Sequence, residues 1–285
     1  MTATTWRDQE LHRLIDTTTW QLAAAWDALT RAQHAVLAAV RAAAGTRRRT
    51  AAIRAALRAF TAAVAAFDTA VVGIVERWAS TELPIAYRHG AEAALHTAPW
   101  PVHLPRPGFH WTPEHQQAIH TLTAAAYERL LHRVNDTVRR ARAFHRAVAE
   151  TARRRESTST EVLAREHRLG VVVYADSTRY PAAAWARSAL AAQAVTAANT
   201  AAVRAAVGDL EAEWVQVVDG PGCGWTSHPD SDQAGGTLRT AAAAAAYPIA
   251  HPGCIRSFIP RPDLTGRTDI EDGQQADEED TAAWR

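Results

Sequence analysis

The sequence predicts a mainly α-helical chain that closes with a small α+β C-terminal domain. Three observations carry this. Apolar residues recur at helical spacing through the first two-thirds of the 285 residues, among Ala, Arg and Thr. One stretch, Ile53 to Trp78, keeps a heptad-like seam. Runs rich in β-branched residues are confined to the last third, at Gly170–Tyr174 and Glu213–Val218. Apolar residues make up 47% of the chain, but much of that is Ala, which buries little area. The core therefore rests on scattered Leu, Val and Ile and on ten Trp.

In chain order, residues 5–44 read as one helix, with Leu11, Ile15, Leu22, Leu29, Val36 and Val40 on a seam that Thr18, Ala25 and Ala32 complete. Gly45–Thr50 offers a stop and a turn. Ile53, Leu57, Phe60, Val64, Phe67, Val71, Ile74 and Trp78 then alternate steps of four and three, a pattern that needs a partner helix. The short connection predicts an antiparallel hairpin, elongated because a helix of about forty residues spans roughly 60 Å. Ser80–Thr97 reads as a further helix. Ala98–Gly108 has four prolines and reads as a linker or packed extended segment. Thr112-Pro113-Glu114 opens a helix that runs to about Thr151: N-cap, Pro at the first position, acid in the first turn. Residues 157–169 form a short connection with some helix.

The texture then changes. Gly170–Tyr174 is a strand, Ala175–Tyr180 a turn and Pro181–Val207 an Ala-rich helix. Glu213–Val218 is a second strand, Thr237–Tyr247 a short helix and Ile255–Ile259 a third strand, together a βαβ-like unit. Residues 271–280 are acidic, with no large apolar residue, and predict a disordered tail. The expected division is 1–97 (hairpin and following helix), 98–111 (Pro-rich linker), 112–169 (helical), 170–264 (α+β domain) and 265–285 (tail).

Net charge is +1, so bulk charge does not mark a nucleic-acid protein. The chain has no Lys, so its Arg content reflects a coding bias before it reflects phosphate binding. Nine Arg nevertheless lie between Arg129 and Arg155. Arg133, Arg139, Arg140 and Arg146 are the candidate contacts to double-stranded DNA; a solvated helix face is the simpler reading. No basic region followed by an apolar run marks a signal peptide, and no membrane span is expected. Two Cys among 285 residues fit a product of a reducing cytoplasm.

Those two cysteines anchor the most unusual chemistry. Cys223, His228, His251 and Cys254 form a Cys-x4-His…His-x2-Cys constellation on two turns rich in Gly and Pro. Zn²⁺ accepts thiolate and imidazole in a tetrahedral shell, and structural sites fill all four places. A zinc knot would also give a small domain with few core-forming residues a reason to gather Cys and His. A disulfide, two buried free thiols and turn-forming His are the competing readings. Asp219, Asp230 and Asp232 raise another alternative, a metal-dependent hydrolase or nuclease built on His228, Asp230 and His251. Asp-x-Asp among Pro and Gly is equally ordinary turn chemistry. No nucleophile motif, P-loop or zincin signature accompanies it.

The run from Trp214 to Asp263 resembles the C-terminal region of Mu F-like phage minor head proteins, also called head morphogenesis proteins. Asp219, Gly220, Cys223, Gly224, Trp225, His228, Asp230, Pro248, His251, Pro252, Cys254, Arg256 and Pro260 carry the resemblance in order and spacing. Tyr174-Ala175-Asp176…Arg179 is similar to the family's Y-A-D-G-R turn, with Ser177 in place of Gly, and Asn199 falls where the family has Asn. Two departures stand out: Ala191 and Ala192 replace an Arg-Thr pair, and Ile255 replaces a second Arg. Leu83-Pro84-x-x-Tyr87 and Phe109-x-Trp111-Thr112-x-x-His115 are family-like more loosely.

The resemblance implies a structural protein rather than an enzyme. It would be made in the bacterial cytoplasm and built into the prohead or virion with portal, capsid or scaffold proteins, without a membrane partner. There it would assist head assembly and DNA packaging or ejection.

Overall fold

The computed structural model describes residues 3–43, 49–154 and 159–276. It is mainly helical, with a small antiparallel sheet near the C-terminus. The chain divides into two compact units that do not follow the linear division expected. One comprises residues 16–78 and 127–187; the other comprises 1–15, 79–126 and 188–285. Three of the crossings fall inside long helices and the fourth at a π turn.

The 16–78/127–187 unit is helical apart from one hairpin. Helix α1 (Ala3–Ala42) and helix α2 (Arg49–Arg77) pair antiparallel: the Trp26 and Phe67 rings meet edge-to-face at 4.8 Å, and Arg77 reaches Gln21. The buried seam of α1 in this unit is Thr18, Leu22, Trp26, Leu29, Gln33, Val36 and Val40. Trp26 and Gln33 thus occupy the steps expected for Ala25 and Ala32. On α2 the seam runs Ile53, Leu57, Phe60, Val64, Phe67, Val71, Val75 and Trp78. Each fully buried apolar side chain of this kind contributes roughly 1.5–3 kcal/mol. Helix α4 (Pro113–Arg154) adds Phe144 against Phe60 at 5.2 Å, and Trp185 packs on Trp26 at 5.7 Å. The turn expected at Gly45–Thr50 falls mostly outside the described residues.

No break occurs at Ser80. The chain passes from α2 through one π turn, Trp78–Glu82, into helix α3 (Leu83–Thr97). Pro84 explains the turn: its ring would collide with the carbonyl four residues back in a continued α-helix, and the wider π turn relieves this. Ahead of the turn, Val75 is the buried residue between Val71 and Trp78, where Ile74 was expected. By length and composition alone, Thr50–Thr97 would suffice to cross a bilayer, contrary to the expectation of no such run.

Helix α5 (Thr160–Glu166) is capped by the Ser159 hydroxyl on Glu161 N. Strands β1 (Val171–Val173) and β2 (Arg179–Pro181) form an antiparallel hairpin, with Val172 opposite Tyr180. This hairpin belongs to the 127–187 unit and not to the C-terminal sheet.

In the other unit, helix α6 (Ala182–Asp209) is buried on most sides from Leu190 onward, through Ala194, Ala197, Ala201, Ala202, Ala205 and Ala206. Alanine lets neighbours approach closely. A Cβ added at Gly90 on α3 would stand 2.0 Å from the Ala198 carbonyl oxygen. The sheet has order β4-β3-β5, with β3 (Trp214–Val218) central and antiparallel to both β4 (Leu238–Thr240) and β5 (Ser257–Pro260). Strands β4 and β5 are therefore parallel to one another, joined through helix α7 (Ala241–Ala246). The βαβ-like unit is realised in this split form.

The expected linker and part of the expected tail are structured. In residues 98–111, Arg106 donates to the carbonyls of Leu95, His96 and Ala98 and so caps the end of α3. Residues 265–276, expected with the tail, cover the β4 edge: Leu238 and Gly273–Gln274 exchange backbone hydrogen bonds. Ile270 and Ala276 join Trp214, Leu238 and Leu264 in one apolar cluster. The remainder of the tail lies outside the described residues.

Candidate metal centre

The site is built on a buried ion pair at the end of β3. Asp219 and Arg256 meet at 2.7 Å with both side chains fully buried. Arg256 donates twice to Asp219 Oδ2 and once each to the carbonyls of Trp225 and Tyr247, with a further bond to Gly224. Its planar guanidinium thereby ties three segments together at once, at Asp219, Gly224–Trp225 and Tyr247. Asn199 on α6 donates to the carbonyls of Pro248 and Arg256, holding the second turn from the other side. The residues of the sequence motif therefore converge on one frame.

Within that frame Cys223, His251 and Cys254 form a group that can hold a metal ion, their ligand atoms all within 4.8 Å of one another. Cys223 Sγ lies 3.3 Å from His251 Nε2. Tetrahedral zinc, with its usual bond lengths, separates such atoms by about 3.6 Å, so the spacing fits. The other nitrogen of the ring, Nδ1, sits 3.1 Å from the Pro252 carbonyl oxygen. A carbonyl only accepts, so Nδ1 carries the proton and Nε2 keeps a lone pair toward the thiols, as a metal ligand requires. Both cysteines are buried and free rather than paired as a disulfide. Burial, with the nearby Asp219 carboxylate, pushes the Cys223 thiol pKa up; a bound cation would act in the opposite sense.

His228 is not in this group. It is exposed, and its ring packs edge-to-face on that of His251, with centroids 4.9 Å apart. Asp230 and Asp232 are engaged elsewhere. Asp230 accepts from Thr226 N, Thr226 Oγ1 and Asp232 N, and these hydrogen bonds hold its pKa down at about 2. Asp232 takes both bonds from Arg239 Nη2, at 2.9 and 3.0 Å. Arg239 gave no sequence signal, yet its guanidinium and that of Arg256 both lie over the Trp225 ring, at 4.5 and 4.6 Å. Gly224 is obligatory here: a Cβ would stand 2.1 Å from Asp230 Cβ. Gly220 opens the turn, its N–H on Asp219 Oδ1, and Pro252 leads to Gly253 at φ +88°.

The candidate DNA contacts divide. Arg133 donates to the Val173 carbonyl and lies 4.4 Å from the Tyr174 ring centroid. Arg140 donates to the carbonyls of Val171 and Arg168. These two fasten α4 to the hairpin rather than forming an open face. Arg139 is exposed and pairs with Asp136; Arg146 is exposed.

The loosely family-like residues upstream also converge. Tyr87 Oη and His115 Nδ1 are 2.8 Å apart, and His115 Nε2 lies 3.8 Å from Asp209. Phe109 and Trp111 pack around them, Trp111 stacked on Tyr87. Burial raises Tyr87 to about 12 and lowers His115, against the pull of Asp209. Comparison of the chain with protein-family models, with curated proteins and with solved structures finds no match.

Proposed function

We propose that this chain is a minor structural protein of a phage or prophage head. It would enter the prohead with the portal and assist DNA packaging or ejection. The resemblance to Mu F-like proteins supplies the family. What supports the reading most is that the residues carrying the resemblance are the ones in mutual contact: Asp219 with Arg256, Arg256 with Gly224 and Trp225, Cys223 with His251, and Asn199 with the Arg256 carbonyl. A set scattered over unrelated positions would give the resemblance no physical basis. In this reading the metal is a structural zinc held by Cys223, His251 and Cys254, with a fourth ligand from outside that trio. His228 is the nearest imidazole by its ring contact.

The hydrolase alternative is weaker, because Asp230 is spent on its own turn and its carboxylate is already hydrogen-bonded three times. Two measurements test the proposal. Freshly purified protein should contain about one zinc per chain, and Cys254→Ser should lose it. Expressed with the portal and capsid genes of its own locus, the protein should co-purify with proheads. Absence from both portal and proheads, with the protein well expressed and folded, refutes the structural role. Zinc-dependent hydrolysis of DNA by the intact protein, lost on His251→Ala, would favour the alternative.

A further inference from the structure

We propose that the cleft between α4 and the β1–β2 hairpin binds nucleic acid with unpaired bases, Tyr174 and Tyr180 offering ring faces to the bases and Arg139 and Arg179 taking the phosphates. The aromatic ring among the arginines of α4, Phe144, is buried against Phe60, but the fold brings two exposed rings beside them. Tyr174 and Tyr180, on neighbouring strand ends, are 38% and 47% exposed and meet edge-to-face at 5.4 Å. Large rings left open next to guanidinium groups are the arrangement by which single-stranded nucleic acid is held: stacking on the base faces, charge on the backbone. The cleft has a volume of about 500 Å³ and is lined by Arg133, Arg139, Arg140 and Tyr174 with His132 and Asp136. That is within the range of sites for ligands of nucleotide size.

The charges are not balanced. Asp136 is the acid lining the cleft, against three arginines, and exposed Arg179 stands on β2 opposite Val173, which also lines it. Asp176, at the hairpin turn, is held by Thr178 N. Arg140 Nε is buried without a hydrogen-bond partner. Arg133 already lies over the Tyr174 ring, which holds that ring in place and leaves Tyr180 the more open platform. A duplex hides its base faces, so stacking on these rings selects single strands.

The proposal does not rest on the head-protein reading, and its test uses the full chain alone. Fluorescence anisotropy would compare labelled oligothymidylate and oligouridylate of roughly 20 nucleotides with a duplex of equal length, at low and raised salt. Both single strands should bind about tenfold more tightly than the duplex, and the stronger of the two tells DNA from RNA. Tyr180→Ala should weaken binding about five- to hundredfold, and Tyr180→Phe should keep it, because the ring face is retained. Arg179→Ala should flatten the log–log salt dependence by about 0.7. Both Tyr180 variants should melt like the parent. Duplex bound as well as or better than single strands, no binding at low salt, or a Tyr180→Ala protein that binds within about twofold of the parent overturns the proposal.

Discussion

Replacing Asp219 by Asn tests whether the buried pair with Arg256 organises the C-terminal turns. The Asn side chain has nearly the same shape and can still accept from the guanidinium through one oxygen. It cannot neutralise the positive charge, and both side chains are fully buried. Removing one partner of such a pair costs about 3–5 kcal/mol, and the retained hydrogen bond puts Asp219→Asn near the lower end, about 3 kcal/mol. Arg256→Met is harsher. It strands the carboxylate and deprives the Gly224, Trp225 and Tyr247 carbonyls of a donor. Each unsatisfied buried group adds about 1–3 kcal/mol, so the sum exceeds 5 kcal/mol and approaches the whole stability of an ordinary domain. Asp219→Leu combined with Arg256→Met should recover part of that loss, because no buried charge is then left alone. Urea titration followed by far-ultraviolet circular dichroism reads all three, with the slope against urea checked for constancy. An Asp219→Asn loss below about 1 kcal/mol would mean that the pair is not a main support of these turns.

Gly90→Ala should destabilise by about 1–3 kcal/mol or more, because the new Cβ would sit 2.0 Å from the Ala198 carbonyl oxygen and α3 must move off α6; thermal melting checks it, and an unchanged melting temperature contradicts that close approach. His115 is held below its usual value by burial. Its neutral form is favoured in the folded state, so stability is full above about pH 6.5 and falls as pH drops and the unfolded chain takes up the proton. His115→Gln should flatten the stability profile between about pH 7 and 5, read by urea titration at each pH. Asp230, depressed to about 2 by its three hydrogen bonds, contributes stability that is present above about pH 4 and lost as pH falls toward 2. Asp230→Asn should remove that part of the acid transition, and an identical acid midpoint would count against a role in shaping the turn.

Much of this was legible because period and partner were both present in the residues. The α2 seam and the Thr112 cap follow from spacing alone, as do β3 and β5, whereas β4 (Leu238–Thr240) lies where Thr237–Tyr247 read as helix, and the helix proper starts only at Ala241. The differences have physical causes. On α1, Trp26 and Gln33 take the inner positions assigned to Ala25 and Ala32, because a 3.6-residue period places adjacent residues on overlapping faces and only the tertiary partner decides between them. Between Val71 and Trp78, Val75 is buried and Ile74 half-buried for the same reason of overlapping faces, and the π turn at Trp78–Glu82 had Pro84 as its one local signal. Residues 265–276 looked like a tail because they pair through backbone groups, which leave little trace in composition. Arg133 and Arg140 looked like part of a basic face, but the Val171 and Val173 carbonyls across the hairpin claim them. At the candidate metal site, Cys223, His251 and Cys254, which the spacing had grouped, do lie together. It could not place His228, because the four residues after Cys223 turn back on Gly224 under the control of Asp230.

That turn changes the reason for the cluster. A metal knot was expected because a small domain seemed to lack core-forming residues. Yet Val215, Val217, Leu238 and Phe258 are fully or nearly buried in the sheet, and Arg256 with Asp219 and Asn199 ties the two cysteine turns through hydrogen bonds of ordinary length. The donor atoms are therefore held near coordination distance by groups that are not themselves ligands. Preorganised donors lower the ordering cost of binding, so a zinc ion here would add stability through its affinity and free concentration, about 2.7 kcal/mol at a hundredfold excess over Kd. The fold would not depend on it for assembly. The functional weight then shifts from the cysteines to the Asp219–Arg256 frame. That frame holds exposed Ile255 and His228 on the two turns.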